Sequence, residues 1–176
     1  MAIMTGLSGN EMFCLGRKGF APGELIIGNS VYSLGFLGAL GAGLQSVFGG
    51  EVSQITRIIS DGRHESEARL LSEARKKGAT GITSMTSELR TMQGNAEFLS
   101  VGSCIHDNAR TRGGEPFSTA CNGQDLYCLL DCGYTPGKFV IGNVAYSVGL
   151  GGGIMGALKS FGRGEVREFS DIFNET

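Results

Sequence analysis

Cys128 and Cys132 stand four residues apart in the stretch Asn122–Gly133, which reads as a helix, so both thiols fall on one face. Cys121 lies about one turn earlier and offers a third. Thiolates suit soft or borderline cations, and a structural zinc site commonly takes four thiolate or imidazole donors. Cys121, Cys128 and Cys132 are therefore the candidate ligands for a divalent or soft metal ion, without a neighbouring histidine to complete the set. Small packed or half-exposed thiols are the plainer explanation. His64 and His106 are far apart and stand in no metal-spaced motif, which suits solvated or helix-end imidazoles. Cys104 falls in an expected strand and reads as a packing residue.

Two glutamates, Glu51 and Glu165, occupy matching places in the internal repeat described below. A carboxylate at a helix start is favoured by the free N–H groups and the dipole there. A ring of such carboxylates around an oligomer axis, binding cations, is the functional alternative. Asn29, Tyr32 and Ser33, matched by Asn143, Tyr146 and Ser147, are candidates to line a pocket or to satisfy buried backbone groups. Gly151–Gly156 fits the spacing GxGxxG, but the matching Leu37–Ala42 breaks it, so these glycines read as packing devices rather than a dinucleotide site. No Ser/His/Asp order, Cys–His partnership or acid–base pair emerges, and the expectation is a protein that is not an enzyme.

The elements that must position these residues come from a duplication. An offset of 114 lays Thr5–Gly62 on Thr119–Thr176 without a gap: Cys14 falls on Cys128, Gly19 on Gly133, Pro22–Gly23 on Pro136–Gly137, Gly28–Asn29 on Gly142–Asn143, and Gly50–Val52 on Gly164–Val166. Ser8 is placed to cap a helix from Gly9 to about Lys18, stopped by Gly19; Asn122 and Gly133 repeat the design. Glu24–Leu34 and Lys138–Val148, rich in Ile, Val and Tyr, read as strands. A glycine-rich helix follows each, with Gly38, Gly41 and Gly43 implying close approach of another backbone. From Glu51 to Lys77 the spacing predicts helix, with Asp61–Gly62 as a break into two. Gly81–Thr91 and Ala96–Ile105 read as strands joined by a turn at Gln93–Asn95.

With 41% hydrophobic and 18% charged residues, the chain has the material for a core. A formal charge of −2 gives no general electrostatic reason to bind nucleic acid. The odd, sparse cysteines and the absence of a basic-then-apolar N-terminal segment point to reduced thiols and a cytoplasmic location. Leu25–Gly50 and Phe139–Leu158 carry no charge and are long enough to span a bilayer, but their Asn, Ser and Tyr residues argue for a soluble protein.

The strand Leu25–Tyr32, Gly49–Glu51, the helix Arg63–Gly78 and the run Phe98–Ser103 together resemble the YbjQ-like family, whose heavy-metal-binding name rests on inference. The resemblance covers Gly23–Ile105 in full and Gly137–Thr176 as a front half. It implies a compact α/β or α+β module that assembles into homopentameric rings. The expected fold is thus two similar modules, each a small sheet packed by helices: residues 1–106 a complete module with a short N-terminal helix, 107–121 a linker, and 122–176 the front half of a second. The expected role is a self-assembling structural or interaction module with itself as partner; the alternative is an oligomeric ring binding a heavy metal or small ligand.

Overall fold

A computed structural model describes residues 3–33, 50–51, 53–92, 95–109 and 114–147. The chain runs α1 (Gly9–Arg17), β1 (Phe20–Ser33), β2 (Gly50–Glu51), α2 (Ser53–Lys76), β3 (Gly81–Met92), β4 (Asn95–Asp107), β5 (Phe117–Ser118), α3 (Gly123–Asp131) and β6 (Tyr146–Ser147). This is a mixed α+β fold. A four-stranded sheet has the order β1-β4-β3-β5, and β2 pairs antiparallel with β6. Two residues link the neighbouring strands β3 and β4, a connection short enough only for a hairpin.

The chain forms two compact units. The first comprises Met1–Val31, Gly62–Met92 and Glu97–Ile141. Its helices start and stop where local chemistry dictates. Ser8 accepts from the Glu11 N–H at 3.3 Å while the Glu11 carboxylate accepts the Ser8 N–H at 2.7 Å, so two orphan donors of α1 are satisfied reciprocally. Gly19 and Gly133, both at φ 84°, turn the chain out of α1 and α3 in a conformation that a side chain would strain.

One core cluster joins Leu70 and Ala74 of α2 to Ile26, Ala79, Ile82, Met85 and Cys104. The helix lies close to the sheet along a seam of small residues. A Cβ on Gly28 would overlap the Ser66 carbonyl oxygen, and one on Gly62 would strike the Phe98 ring. Ser66 and Ser100 share a buried hydroxyl contact of 2.8 Å, and Ser30 donates to the Gly62 carbonyl at 2.7 Å. Buried hydroxyls without such partners would cost about 1–3 kcal/mol each, which makes this seam specific rather than merely tight.

A second cluster packs α1 against α3 through Leu7, Leu15, Ile105 and Leu126, edged by Phe20 and Phe117 in a T-shaped contact with centroids 6.3 Å apart. Fully burying Leu15 and Leu126 contributes about 1.5–3 kcal/mol each. Lys18 bridges to Asp131 at 2.7 Å and lies over the Tyr127 ring.

The second unit comprises Tyr32–Asp61, Gln93–Ala96 and Gly142–Thr176. Within it Gly50 pairs with Ser147 and Glu51 with Tyr146. Thr56 of α2 accepts from the Asn143 side chain at 3.4 Å and, through its hydroxyl, from the Ala145 N–H at 2.9 Å.

Three expectations about elements change. Asp61–Gly62 does not split the helix: α2 is continuous from Ser53 to Lys76, because the missing Cβ of Gly62 makes room for Phe98. Residues 138–145 form no strand, although Glu24–Ser33 lie in one. β1 is hydrogen-bonded beside β4, whereas among the described residues no strand pairs with 138–145. Pro22–Gly23 therefore sits in a strand, whereas Pro136–Gly137 sits in irregular chain whose Gly137 carbonyl accepts the Ser118 N–H at 3.2 Å. Finally, the stretch 107–121 is more than a connection, since Phe117–Ser118 forms β5 in parallel register with Gly81–Ile82. The glycine-rich helices expected after each strand lie outside the described residues.

Candidate thiol groove

The three candidate cysteines line one groove without forming a three-donor group among the described residues. Cys121, Asp125, Cys128, Leu129, Cys132 and Tyr134 line an open groove of about 390 Å³ along α3. Asn122 caps this helix by accepting from the Gln124 and Asp125 N–H groups, both at 2.9 Å. The Cys132 N–H donates to the Cys128 carbonyl at 3.0 Å, so helical geometry persists through Cys132 and holds the two thiols on one face. Both residues are exposed, while Cys121 is half-buried.

Cys121 is fixed through its backbone. Its carbonyl accepts from the Ser84 N–H at 2.8 Å and from the Thr83 hydroxyl at 2.5 Å, and its N–H donates to the Thr119 hydroxyl at 3.1 Å. Ser84 reaches this arrangement at φ 55°, a left-handed conformation that costs about 1–3 kcal/mol outside glycine. Glu11 ties the front of α3 to the same region: its carboxylate accepts the Gly123 N–H at 3.1 Å and contacts the Ser84 hydroxyl at 3.5 Å. Burial raises the Glu11 pKa, but these donors and Ser8 outweigh it and leave the group below the usual carboxylate range.

Why α3 exposes its thiols follows from which leucines α1 and α3 bury, compared at positions 114 apart. Leu15 of α1 is fully buried, whereas its counterpart Leu129 is exposed; on α3 it is Leu126 that is buried. The two helices thus turn different faces inward. Cys14 is half-buried on α1, and Cys128 comes to the surface.

The remaining candidates are placed as follows. Asn29 lines a hollow of about 260 Å³ with Gly28, Arg69 and Glu73, and its carbonyl accepts from Arg69 at 2.6 Å. Tyr32 is half-buried and Ser33 exposed at the end of β1, in the other unit from Asn29. Asn143 binds Thr56, and the backbones of Glu51, Tyr146 and Ser147 meet in the β2–β6 ladder. That ladder brings Glu51 together with Tyr146 and Ser147, which spacing alone could not show. Glu165 and the glycine run Gly151–Gly156 lie outside the described residues. No helix among the described residues is long and apolar enough to cross a membrane.

A hollow that sequence reasoning missed contains Glu24, Lys77 and His106. The backbone N–H of Glu24 and the Lys77 ammonium, 3.4 Å away, hold the Glu24 carboxyl below its usual range. His106 approaches the Gly78 carbonyl at 3.2 Å through Nδ1. Cys104 beneath it is fully buried, and burial, with the Glu24 charge, pushes its thiol up to about 12.

Residues 19–106 match a sequence family, YbjQ_1, described as "Putative heavy-metal-binding". Among the described residues no group of three or more His, Cys, Asp or Glu side chains is placed to hold a metal ion. Within the matched segment, a buried, protonated Cys104 and a lysine-paired Glu24 do not make a donor set. The chain is 33% identical over 170 residues to the Mycobacterium tuberculosis protein named Encapsulin nanocompartment protein Rv1762c, covering 92% of this chain and 63% of that one. It therefore spans somewhat less than two thirds of that relative. It is 32% identical over 82 residues to an Archaeoglobus fulgidus UPF0145 protein, 46% of this chain and 76% of that one, and 40% identical over 68 residues to an Acidothermus cellulolyticus UPF0145 protein, 37% and 63% respectively. The match over β1, α2, β3 and β4, with relatives of the same type across bacteria and archaea, shows that the chain belongs to the YbjQ-like, or UPF0145, family.

Proposed function

We propose that this chain is a self-assembling structural and interaction module, non-catalytic and cytoplasmic, built as one complete YbjQ-like unit followed by the front half of a second. Its partner is a further copy of itself, in a closed ring of the pentameric kind. The observation that carries this reading is the outer face of β1. The strand ends the sheet order, and along it Ile26, Gly28 and Ser30 are buried while Leu25, Ile27 and Val31 are 37%, 54% and 59% exposed. Pro22 and Glu24 guard the start of β1, where the Leu25 N–H is also taken by the Met4 carbonyl at 2.8 Å, but beyond them three large aliphatic side chains face water and favour association. The name of the Mycobacterium tuberculosis relative speaks of a compartment, which supports assembly as the class of behaviour. Matching caps and stops on α1 and α3, at an offset of 114, support a duplicated helix, while 138–145 does not repeat the strand β1.

Light scattering on the purified chain tests this. The expected mass is a multiple of 18.5 kDa, and Ile27→Asp lowers it. A folded monomer for the unsubstituted chain at micromolar concentration refutes the proposal.

The second reading is an oligomeric binder of a soft metal or small ligand. The thiol groove favours it: three cysteines line one opening, and all five cysteines of the chain are free thiols.

A further inference from the structure

We propose that Cys128 and Cys132 form a two-thiolate site for monovalent copper, with Cys121 as the adjoining thiol of the same groove. This deepens the metal-binding reading and is independent of assembly. Coordination number selects the metal. A structural zinc ion asks for four donors, and the described residues offer no group of even three in ligating positions. Cu(I) is soft, selects thiolates, and is content with two or three of them.

Spacing decides between a metal and a disulfide. Helical neighbours at i and i+4 have Cβ atoms about 5–6 Å apart. A disulfide needs about 3.5–4.5 Å between Cβ atoms, so closing one would break the Cys132 N–H to Cys128 carbonyl bond of 3.0 Å or distort the turn around it. A metal inserted between the sulfurs, with metal–sulfur bonds of about 2.3 Å, places them about 4 to 4.6 Å apart, which side chains on one helix face reach without moving the backbone. Both residues are exposed, so entry needs no opening of the fold. Binding releases two protons: two thiols and Cu⁺ give a bis-thiolate complex of charge −1 and two H⁺, copper keeping its oxidation state. Leu129 and Tyr134 border the groove and give the complex an apolar flank.

The test is anaerobic titration of the reduced full chain with Cu(I) against the chromogenic chelator bicinchoninate, reading copper retained per chain and the thiolate-to-copper ultraviolet absorption. The expected result is one Cu(I) per chain, lost in Cys128→Ser and in Cys132→Ser and kept in Cys14→Ser. Far-ultraviolet circular dichroism checks folding. Because a serine variant could still misfold, the unsubstituted folded chain is also blocked at its exposed thiols with N-ethylmaleimide, which should abolish retention. Undiminished copper in the Cys128→Ser, Cys132→Ser double variant overturns the proposal, as does equal retention of Zn(II), or ready formation of a Cys128–Cys132 disulfide in air with the helix intact. Light scattering on the same samples separates the two ideas: a copper-binding monomer refutes assembly and leaves the site standing.

Discussion

Gly28 and Gly142 lie 114 positions apart, and alanine at each should have opposite consequences. At Gly28 the added Cβ would overlap the Ser66 carbonyl oxygen and lie 2.5 Å from the Leu70 amide nitrogen, both backbone atoms of α2. No rotamer change relieves such a contact, so α2 must move away from β1. That movement loosens the packing of Leu70 and Ala74 on Ile26 and strains the Ser66–Ser100 contact. Overpacking a tight site costs about 1–3 kcal/mol, and the backbone clash puts Gly28→Ala near the top, about 3 kcal/mol. For a chain of this size each kcal/mol lowers the melting temperature by about 2–4 °C, giving a drop of about 6–12 °C. At Gly142 an added Cβ meets nothing within 4 Å, and alanine should be neutral or stabilise by up to about 1 kcal/mol through the unfolded chain. Thermal and urea unfolding followed by circular dichroism read both. Equal stability of Gly28→Ala and the unsubstituted chain would show that the close seam between β1 and α2 is wrong.

Two further predictions concern titratable groups. The Glu11 carboxyl lies below its unfolded value, so its contribution to stability is present above the unfolded pKa of about 4.3 and is lost as pH falls through the folded one. Glu11→Gln should cost about 1 kcal/mol at pH 7 and flatten the loss of stability between about pH 5 and 3; parallel acid profiles for variant and parent would exclude the carboxylate as the clasp between α1 and α3. Buried Cys104, its thiol pushed up to about 12, should resist a thiol reagent until the chain unfolds, while Cys128 and Cys132 react at once. Mass mapping of the modified peptides checks this, and early labelling of Cys104 would contradict its burial.

Features set by short-range chemistry were readable from the residues. Ser8 with Glu11, Asn122, Gly19 and Gly133 announce the ends of α1 and α3, and the β3–β4 hairpin follows from two β-rich runs around a tight turn. Features set by partners were not. Gly62 looks like a helix break because glycine costs about 1 kcal/mol there, yet contact with Phe98, 36 positions away, overrides that preference. A run such as Lys138–Ala145 has strand composition but no neighbouring strand among the described residues, and composition cannot supply one. β5 is two residues long and has no pattern of its own. For the site, helical spacing foretold that Cys128 and Cys132 share a face. The approach of Cys121 depends on Ser84 and Thr83, about 38 positions earlier, and left no mark in the spacing.

The partnership of α1 with α3 has a temporal side. α1 leaves the ribosome with its Leu15 face made, but Leu126, which covers that face, is translated more than a hundred residues later. At about 5–20 residues per second the wait is on the order of ten seconds, far longer than a hairpin such as β3–β4 needs to close. During that interval Leu15 and Met12 of the nascent helix lack the α3 part of their native cover, and chaperone engagement should be concentrated there and end as α3 emerges.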